Sequence, residues 1–270
     1  MKSSVIGLVA GVFIVGYAVT QTSDDVAAYL NLLSLIIVFG GTLSAAIITH
    51  GLSKLYEIFL MFFKAFSTSK YNNVSIVQEI VDISKKLNDG ASIESLQDLH
   101  THPYIKDGLR LIYNKFSDEK IINISRTMLN ERIAYYEESI DQLEVLGKYP
   151  PAFGMMGTII GLIAVLKQLG ADNGIETVGP NMAVALITTL YGIFIANYII
   201  HPISDNLYSR SQKDLKVRRI IAEGILLLNK KEDPIYVREV LLGYLLPAER
   251  FVFEKQVGNN SNSGTQKEAA

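Results

Sequence analysis

The chain has 270 residues, of which 49% are apolar and 19% charged, with a formal net charge of −2. Its mean hydropathy is +0.24. Ordinary soluble domains carry about a quarter charged residues, so charge here is gathered into part of the chain and the rest is lipid-like. With no cysteine, disulfide frameworks, thiolate metal sites and cysteine nucleophiles are excluded. A net charge near zero names no partner, and nucleic acid is not expected.

Four apolar runs appear in chain order: Val5–Thr20, Val26–Thr49, Ala152–Leu169 and Asn181–His201. Each approaches the roughly 20 residues a helix needs to cross the hydrocarbon core. The first lacks a strongly basic flank and a second follows at once, so a cleavable leader is not expected. Lysine and arginine set the orientation. The loops 21–25 and 170–180 contain none, whereas 51–150 holds 12 and 204–270 holds 11. Basic residues mark the cytoplasmic side. Both termini and the middle segment are therefore expected in the cytoplasm, and Lys167 can snorkel at the outer end of its span.

Between the second and third runs the pattern is amphipathic helix. In SIVQEIVDISKKL, Ser75 and Gln78 fit a capping box, and Ile76, Ile80, Ile83 and Leu87 recur at helical spacing. Asn88-Asp89-Gly90 reads as a stop. Pro103 opens a second helix in its first turn. A third runs from Ser117 to Lys148, with Ile121, Ile124, Met128 and Ile133 on one side, and enters the third span at Pro150. After the fourth run, Arg210, Lys213, Lys216, Arg218 and Arg219 read as a cluster for lipid headgroups. Asp233-Pro234 then opens a short helix. The expected fold is an all-α membrane protein: four transmembrane helices, with a helical cytoplasmic domain between helices two and three. The boundaries are 1–50 for spans one and two, 51–150 for the cytoplasmic domain and 151–203 for spans three and four. Residues 204–255 follow as C-terminal helices and 256–270 as a disordered tail.

None of the four runs contains Asp, Glu or Arg. His50 and His201 stand at their cytoplasmic ends, where an interfacial role is expected. Ion paths usually need an ionisable or strongly coordinating group inside the membrane. If this chain moves an ion, a partner must supply the carboxylate. What the spans do carry is small residues on faces. Gly154, Gly157, Thr158, Gly161 and Ala164 fall within about 120° of arc, and Ala185, Thr189, Gly192 and Ala196 form a matching stripe. Such faces let helices approach closely. A buried threonine can bond its own preceding carbonyl or line an ion path. No nucleophile elbow, phosphate loop or metal-ligand spacing is present, so an enzyme is not expected.

The segments PAFGMMGTIIGL, IETVGPNMAVALITTLYG and HPISDNL closely resemble spans three and four of the MotA/PomA family, the A subunits of the flagellar-motor stator. SLIIVFGGTLSA and DPIYVREVLLGYL resemble it too, and the likeness runs from about Val5 to Leu246. It implies an inner-membrane pentamer of A chains around a dimer of B chains. Each B chain would bring one span with the ion-binding aspartate and a peptidoglycan-binding domain. A rotor switch protein would receive the torque that drives the bacterial flagellum in motility and chemotaxis. It implies pore-facing roles for Thr158 and Thr189, with Thr188 beside the latter, and coupling roles for Pro151 and Pro202. Gly154, Gly157, Gly161, Ala185 and Gly192 are the expected packing residues. The threonine pair is similar to that of sodium-type members, so sodium rather than the proton is the expected ion; no cofactor or bound metal is expected. The family's basic pair and acidic positions on the rotor-facing loop match Lys85, Lys86, Glu94 and Asp98 loosely. Asn31 stands where an acidic residue is common. A TolQ/ExbB-type energiser, which usually has three spans, and a non-transporting membrane scaffold are the alternatives.

Overall fold

The computed structural model describes residues 2–22, 26–65, 71–96, 102–169 and 174–265, and every element among them is helical. The chain forms two compact units. One comprises Met1–Thr68 with Tyr136–Ser209, the other Ser69–Tyr135 with Arg210–Ala270.

The first unit is the apolar one. It holds α1 (Lys2–Thr22), α2 (Leu32–Leu35) and α3 (Gly41–Ala65). Asn31 caps α2 by accepting the Ser34 N–H at 2.9 Å. A π-helical turn, Ile36–Gly40, joins α2 to α3, and Gly51 (φ 72°, ψ 164°) breaks α3 just past the predicted end of the second span. Gly41 lets the ring of Phe153 approach, and Gly11 does the same for Tyr198. The Tyr191 hydroxyl donates to the Tyr29 carbonyl at 2.5 Å. Three helical stretches are long and apolar enough to cross a membrane: Val26–Leu60, Asp118–Gln168 and Val178–Asn229. Helix α1 is a further apolar helix, 21 residues from Lys2 to Thr22. Large apolar side chains such as Phe13, Ile48, Ile159, Leu166 and Leu186 are exposed. In water this surface would be unstable; in lipid it is the expected exterior.

The second unit has a conventional aliphatic core. It contains α4 (Asn73–Asn88), α5 (Ile93–Leu96) and α6 (Pro103–Tyr113). The long α7 (Asp118–Gln168) begins here and ends in the first unit. Conversely α8 (Gly174–Phe194), a π turn (Ile195–Ile200) and the start of α9 (His201–Asn229) belong to the first, and the rest of α9 to the second. Two helices close the chain, α10 (Pro234–Leu242) and α11 (Pro247–Thr265). Ile80, Ile83, Ile105, Leu109, Ile121, Ile220, Ile221, Ile225 and Phe253 are buried together. Gly108 meets Ile225, and Gly224 meets Ile80, so α9 nests against α6 and α4 through its own and its neighbour's missing side chains.

Several local expectations change. Helix α4 starts at Asn73, with Asn72 as its cap, so Ser75 and Gln78 are not a capping box. Ser75 donates its hydroxyl back to the Asn72 carbonyl at 2.8 Å, and Gln78 donates to Asp82 at 3.0 Å. On α7 Ile121 is buried, Ile124 and Ile133 are half-buried and Met128 is exposed, so the predicted apolar side is covered unevenly. Two residues of the basic cluster are held inside the protein rather than free for headgroups. Lys216 pairs with Glu249 at 3.2 Å and Arg218 with Asp214 at 2.8 Å, both within the helical unit. Helix α11 continues through Thr265, beyond where the polar composition suggests a disordered tail. Pro247 in its first turn and Glu249, which accepts the Leu246 N–H at 2.9 Å, set its start.

Three helices of this unit end in the same hydrogen-bond pattern. Gly90 and Ala91 close α4, Lys115 and Phe116 close α6, and Lys231 and Glu232 close α9, each donating back to two carbonyls of the last turn. All three ends line one groove of about 900 Å³. The pattern requires a left-handed residue, usually glycine. Gly90 supplies it at φ 91°, but Lys115 and Lys231 adopt φ 56° despite their Cβ atoms. Lys115→Gly with Lys231→Gly should stabilise the unit by about 0.5–1 kcal/mol per site, the left-handed strain less glycine's entropy cost. A higher thermal midpoint for the double variant is the expected reading. A lower one would mean that the lysine side chains contribute more than the backbone conformation costs.

Candidate ion-path site

Pro150 and Pro151 lie inside α7, which continues through them. Proline has no N–H, so the carbonyls four residues earlier, at Leu146 and Gly147, lose their helical partners. Gly147 leaves room for the His201 ring, whose Cε1 is 2.8 Å from where a Cβ would stand. The Pro150 carbonyl oxygen is 2.4 Å from where a Cβ on Gly192 would stand. Further along, Gly154 faces the backbone of Thr188 and Thr189, Gly157 faces the Thr188 side chain, and Gly161 faces Ala185 and the Asn181 carbonyl. The expected packing residues Gly154, Gly157, Gly161, Ala185 and Gly192 therefore all meet at one crossing of α7 with α8. Asn181 adds a hydrogen bond to Gln168 at 2.5 Å.

This close approach brings Thr158 and Thr189 together. Their hydroxyl oxygens are 2.5 Å apart. Thr158 Oγ1 lies 2.9 Å from the Ala185 carbonyl and 3.2 Å from the Gly154 carbonyl, and Thr189 Oγ1 lies 3.4 Å from the latter. Each hydroxyl has one proton and two lone pairs. With Thr158 donating to Ala185 and Thr189 donating to Thr158, every donor is satisfied. Lone pairs remain on both hydroxyl oxygens. The result is a half-buried cluster of hydroxyl and carbonyl oxygens without a carboxylate, a donor set that suits a hard cation.

Thr188 touches this site only through the Ala185 carbonyl, which it shares with Thr158. Thr188 is fully buried, and its hydroxyl contacts the Val184 and Ala185 carbonyls of its own helix at 3.0 and 2.8 Å. Successive helical residues point about 100° apart, so only one of the two adjacent threonines can face the pair. Thr188 fills the space opposite Gly157 instead. Pro151 is half-buried within α7, while Pro202 is exposed in the first turn of α9. In the second unit Lys85 and Lys86 are exposed on the last turn of α4. Glu94 is exposed on α5, where it accepts a hydrogen bond from the Tyr113 hydroxyl; that bond and the carboxylate's charge push the phenol's pKa up. Asp98 lies outside the described residues. The carbonyls of Gly154 and Ala185 belong to the site as much as the hydroxyls do, yet backbone oxygens leave no letter in a sequence.

Residues 97–220, which include α6, α7 and α8, match the model of the MotA/TolQ/ExbB proton channel family. They are a MotA/TolQ/ExbB family domain. Relatives match along nearly the whole chain. Motility protein A of Borreliella burgdorferi is 28% identical over 260 residues, covering 95% of this chain and 98% of its own. The chemotaxis protein PomA of Vibrio alginolyticus is 26% identical over 253 residues, covering 92% and 96%. Among solved structures, the flagellar MotAB stator complex from Bacillus subtilis superposes with a TM-score of 0.84 at 22% identity, over 93% of this chain and 99% of the other. The C. jejuni MotAB structure gives 0.82 at 18% identity, over 91% and 96%. The MotA/TolQ/ExbB domain thus sits in a chain with the fold of the MotAB structures.

Proposed function

We propose that this chain is the A subunit of a flagellar stator, which converts ion-motive force carried by sodium into torque on a rotor. The observation that carries the reading is the Thr158–Thr189 hydroxyl pair, an oxygen cluster with lone pairs to spare and no carboxylate of its own. A cation passing it needs a countercharge from another chain, and a B subunit with an intramembrane aspartate provides one. The relatives named Motility protein A and PomA support the same assignment. In this reading four spans cross the inner membrane, both termini are cytoplasmic, and five copies surround two B chains. Pro151 and Pro202 couple ion passage to motion below. Lys85, Lys86, Glu94 and Asp98 face the rotor switch protein.

Co-expression with B-type subunits in a strain lacking its own stators tests the proposal. Swimming should return. Restoration of outer-membrane energisation without motility would instead support the TolQ/ExbB-type reading. In the same assay, Lys85→Glu with Lys86→Glu should leave the amount of membrane-assembled stator unchanged while cutting swimming several-fold, because surface charge reversal rarely alters folding but turns an attraction across an interface into a repulsion. Unchanged swimming would remove both lysines from the rotor contact.

A further inference from the structure

His102 has no part in the threonine pair, yet its chemistry is unusual for its position. It is the N-cap of α6, at φ −101° and ψ 122°, and its Nδ1 accepts the Tyr104 N–H at 3.1 Å. Caps are normally Ser, Thr, Asp or Asn, whose oxygens remain acceptors across the physiological pH range. An imidazole nitrogen is an acceptor only while neutral; in the imidazolium form both nitrogens are donors. A proton on Nδ1 would set donor against donor at the Tyr104 N–H. It would also place a positive charge at the positive end of the helix dipole.

Water cannot repair that conflict, because His102 is only 3% exposed. The Tyr71 ring packs edge-on, with centroids 4.3 Å apart. The charged groups facing His102 are Arg218 and Asp214 of α9 and Glu79 of α4. Asp214 is committed elsewhere: Arg218 Nε donates to it at 2.8 Å and Arg132 of α7 approaches it at 3.6 Å. Arg218 also lies over the Tyr104 ring, 5.2 Å from its centroid. Burial, and then the Arg218 charge, hold the imidazole's pKa below its ordinary value, against a smaller opposing pull from Asp214 and Glu79.

We propose that His102 is a pH-sensitive cap, and that its protonation releases the first turn of α6 and loosens the second helical unit. The folded unit keeps the imidazole neutral, whereas an opened chain takes up a proton with an ordinary pKa near ~6.5. The unfolded side therefore binds more protons, and the stability that His102 provides is present at neutral pH and lost as pH falls through about 6.5. This inference does not depend on the stator reading, which enters only in assigning the proton to an acidified cytoplasm.

The test is hydrogen exchange of backbone amides 104–113 in the full-length, membrane-embedded protein between pH 7.5 and 5.5, corrected for the intrinsic pH dependence of exchange. Uptake of one proton by the open form should raise the opening constant by up to about tenfold across that range. His102→Asn keeps a cap that does not titrate, so its protection should match the wild type at pH 7.5 and stay flat. His102→Ser is a second non-titrating cap. A flat wild-type profile would overturn the proposal, as would an equally steep profile in both variants. If neither variant is protected at pH 7.5, the ring holds the helix by something other than its acceptor nitrogen, and the proposal also fails.

Discussion

Gly192→Ala should abolish swimming and lower the thermal midpoint of the purified protein. The added Cβ would stand 2.4 Å from the Pro150 carbonyl oxygen and 3.1 Å from Pro151 Cα. Both are backbone atoms, so no side chain can rotate away. Contacts of carbon with a carbonyl oxygen settle near 3.3–3.6 Å, so α7 and α8 must part by about 1 Å at this point. Overpacking of this kind costs roughly 1–3 kcal/mol. The functional cost is larger than the energy suggests, because the same crossing sets the separation of the two threonine hydroxyls. Gly16→Ala is the control, since nothing lies within 4 Å of the position its Cβ would take. A Gly192→Ala protein that swims and melts like the wild type would mean that α7 and α8 are not held as closely as described.

Thr158→Ala should reduce sodium-dependent swimming by about an order of magnitude at sub-saturating sodium, with the amount of assembled stator little changed. The substitution removes the oxygen that contacts Thr189 Oγ1 at 2.5 Å and the Ala185 carbonyl at 2.9 Å. One hydrogen-bond-sized interaction is worth about 1 kcal/mol, or about fivefold in an equilibrium, and here an ion ligand disappears as well. Thr189→Ala should behave similarly, whereas Thr188→Ser should be close to neutral for the ion, because it keeps the hydroxyl on the Val184 and Ala185 carbonyls and loses only the methyl facing Gly157. Swimming speed measured against sodium concentration separates these outcomes. If the wild type ignores sodium and follows the proton-motive force, the sodium assignment falls and the stator assignment survives.

Much of this architecture was legible because hydrophobicity and local caps are written one residue at a time. The apolar runs marked the helices that carry an exposed apolar surface, Pro103 marked the first turn of α6, and Asn88-Asp89-Gly90 marked the end of α4. What stayed hidden depended on neighbours distant in sequence. Lys216 resembles a headgroup ligand until Glu249 of α11 is brought beside it. Two consecutive threonines are equivalent in sequence; which one reaches Thr158 depends on the facing glycine, and Gly157 claims Thr188. Asn72 is masked as a cap by the capping-box pattern of Ser75 and Gln78, which begins three residues later. His102 carried no signal, since histidine is a rare cap and its role rests on burial. The proline pair reads as a break, and only the packing around Gly147 and Gly192 accounts for a helix that continues through it.

The two π-helical turns, Ile36–Gly40 and Ile195–Ile200, bear on how this chain tolerates changes in length. A π turn holds one residue more than an α turn. Each residue rotates a helix by about 100°, so the extra residue determines which face every later side chain presents. Deleting one residue within 36–40 would let the backbone relax into a regular α-helix, with every hydrogen bond satisfied, while turning Leu32–Leu35 about a quarter of a circle relative to Gly41. Asn31 and Ser34 would then lose their contacts with Tyr191 and Val184. At these two turns the number of residues is a stricter constraint than their identity: conservative substitutions should be absorbed, and single-residue deletions should not.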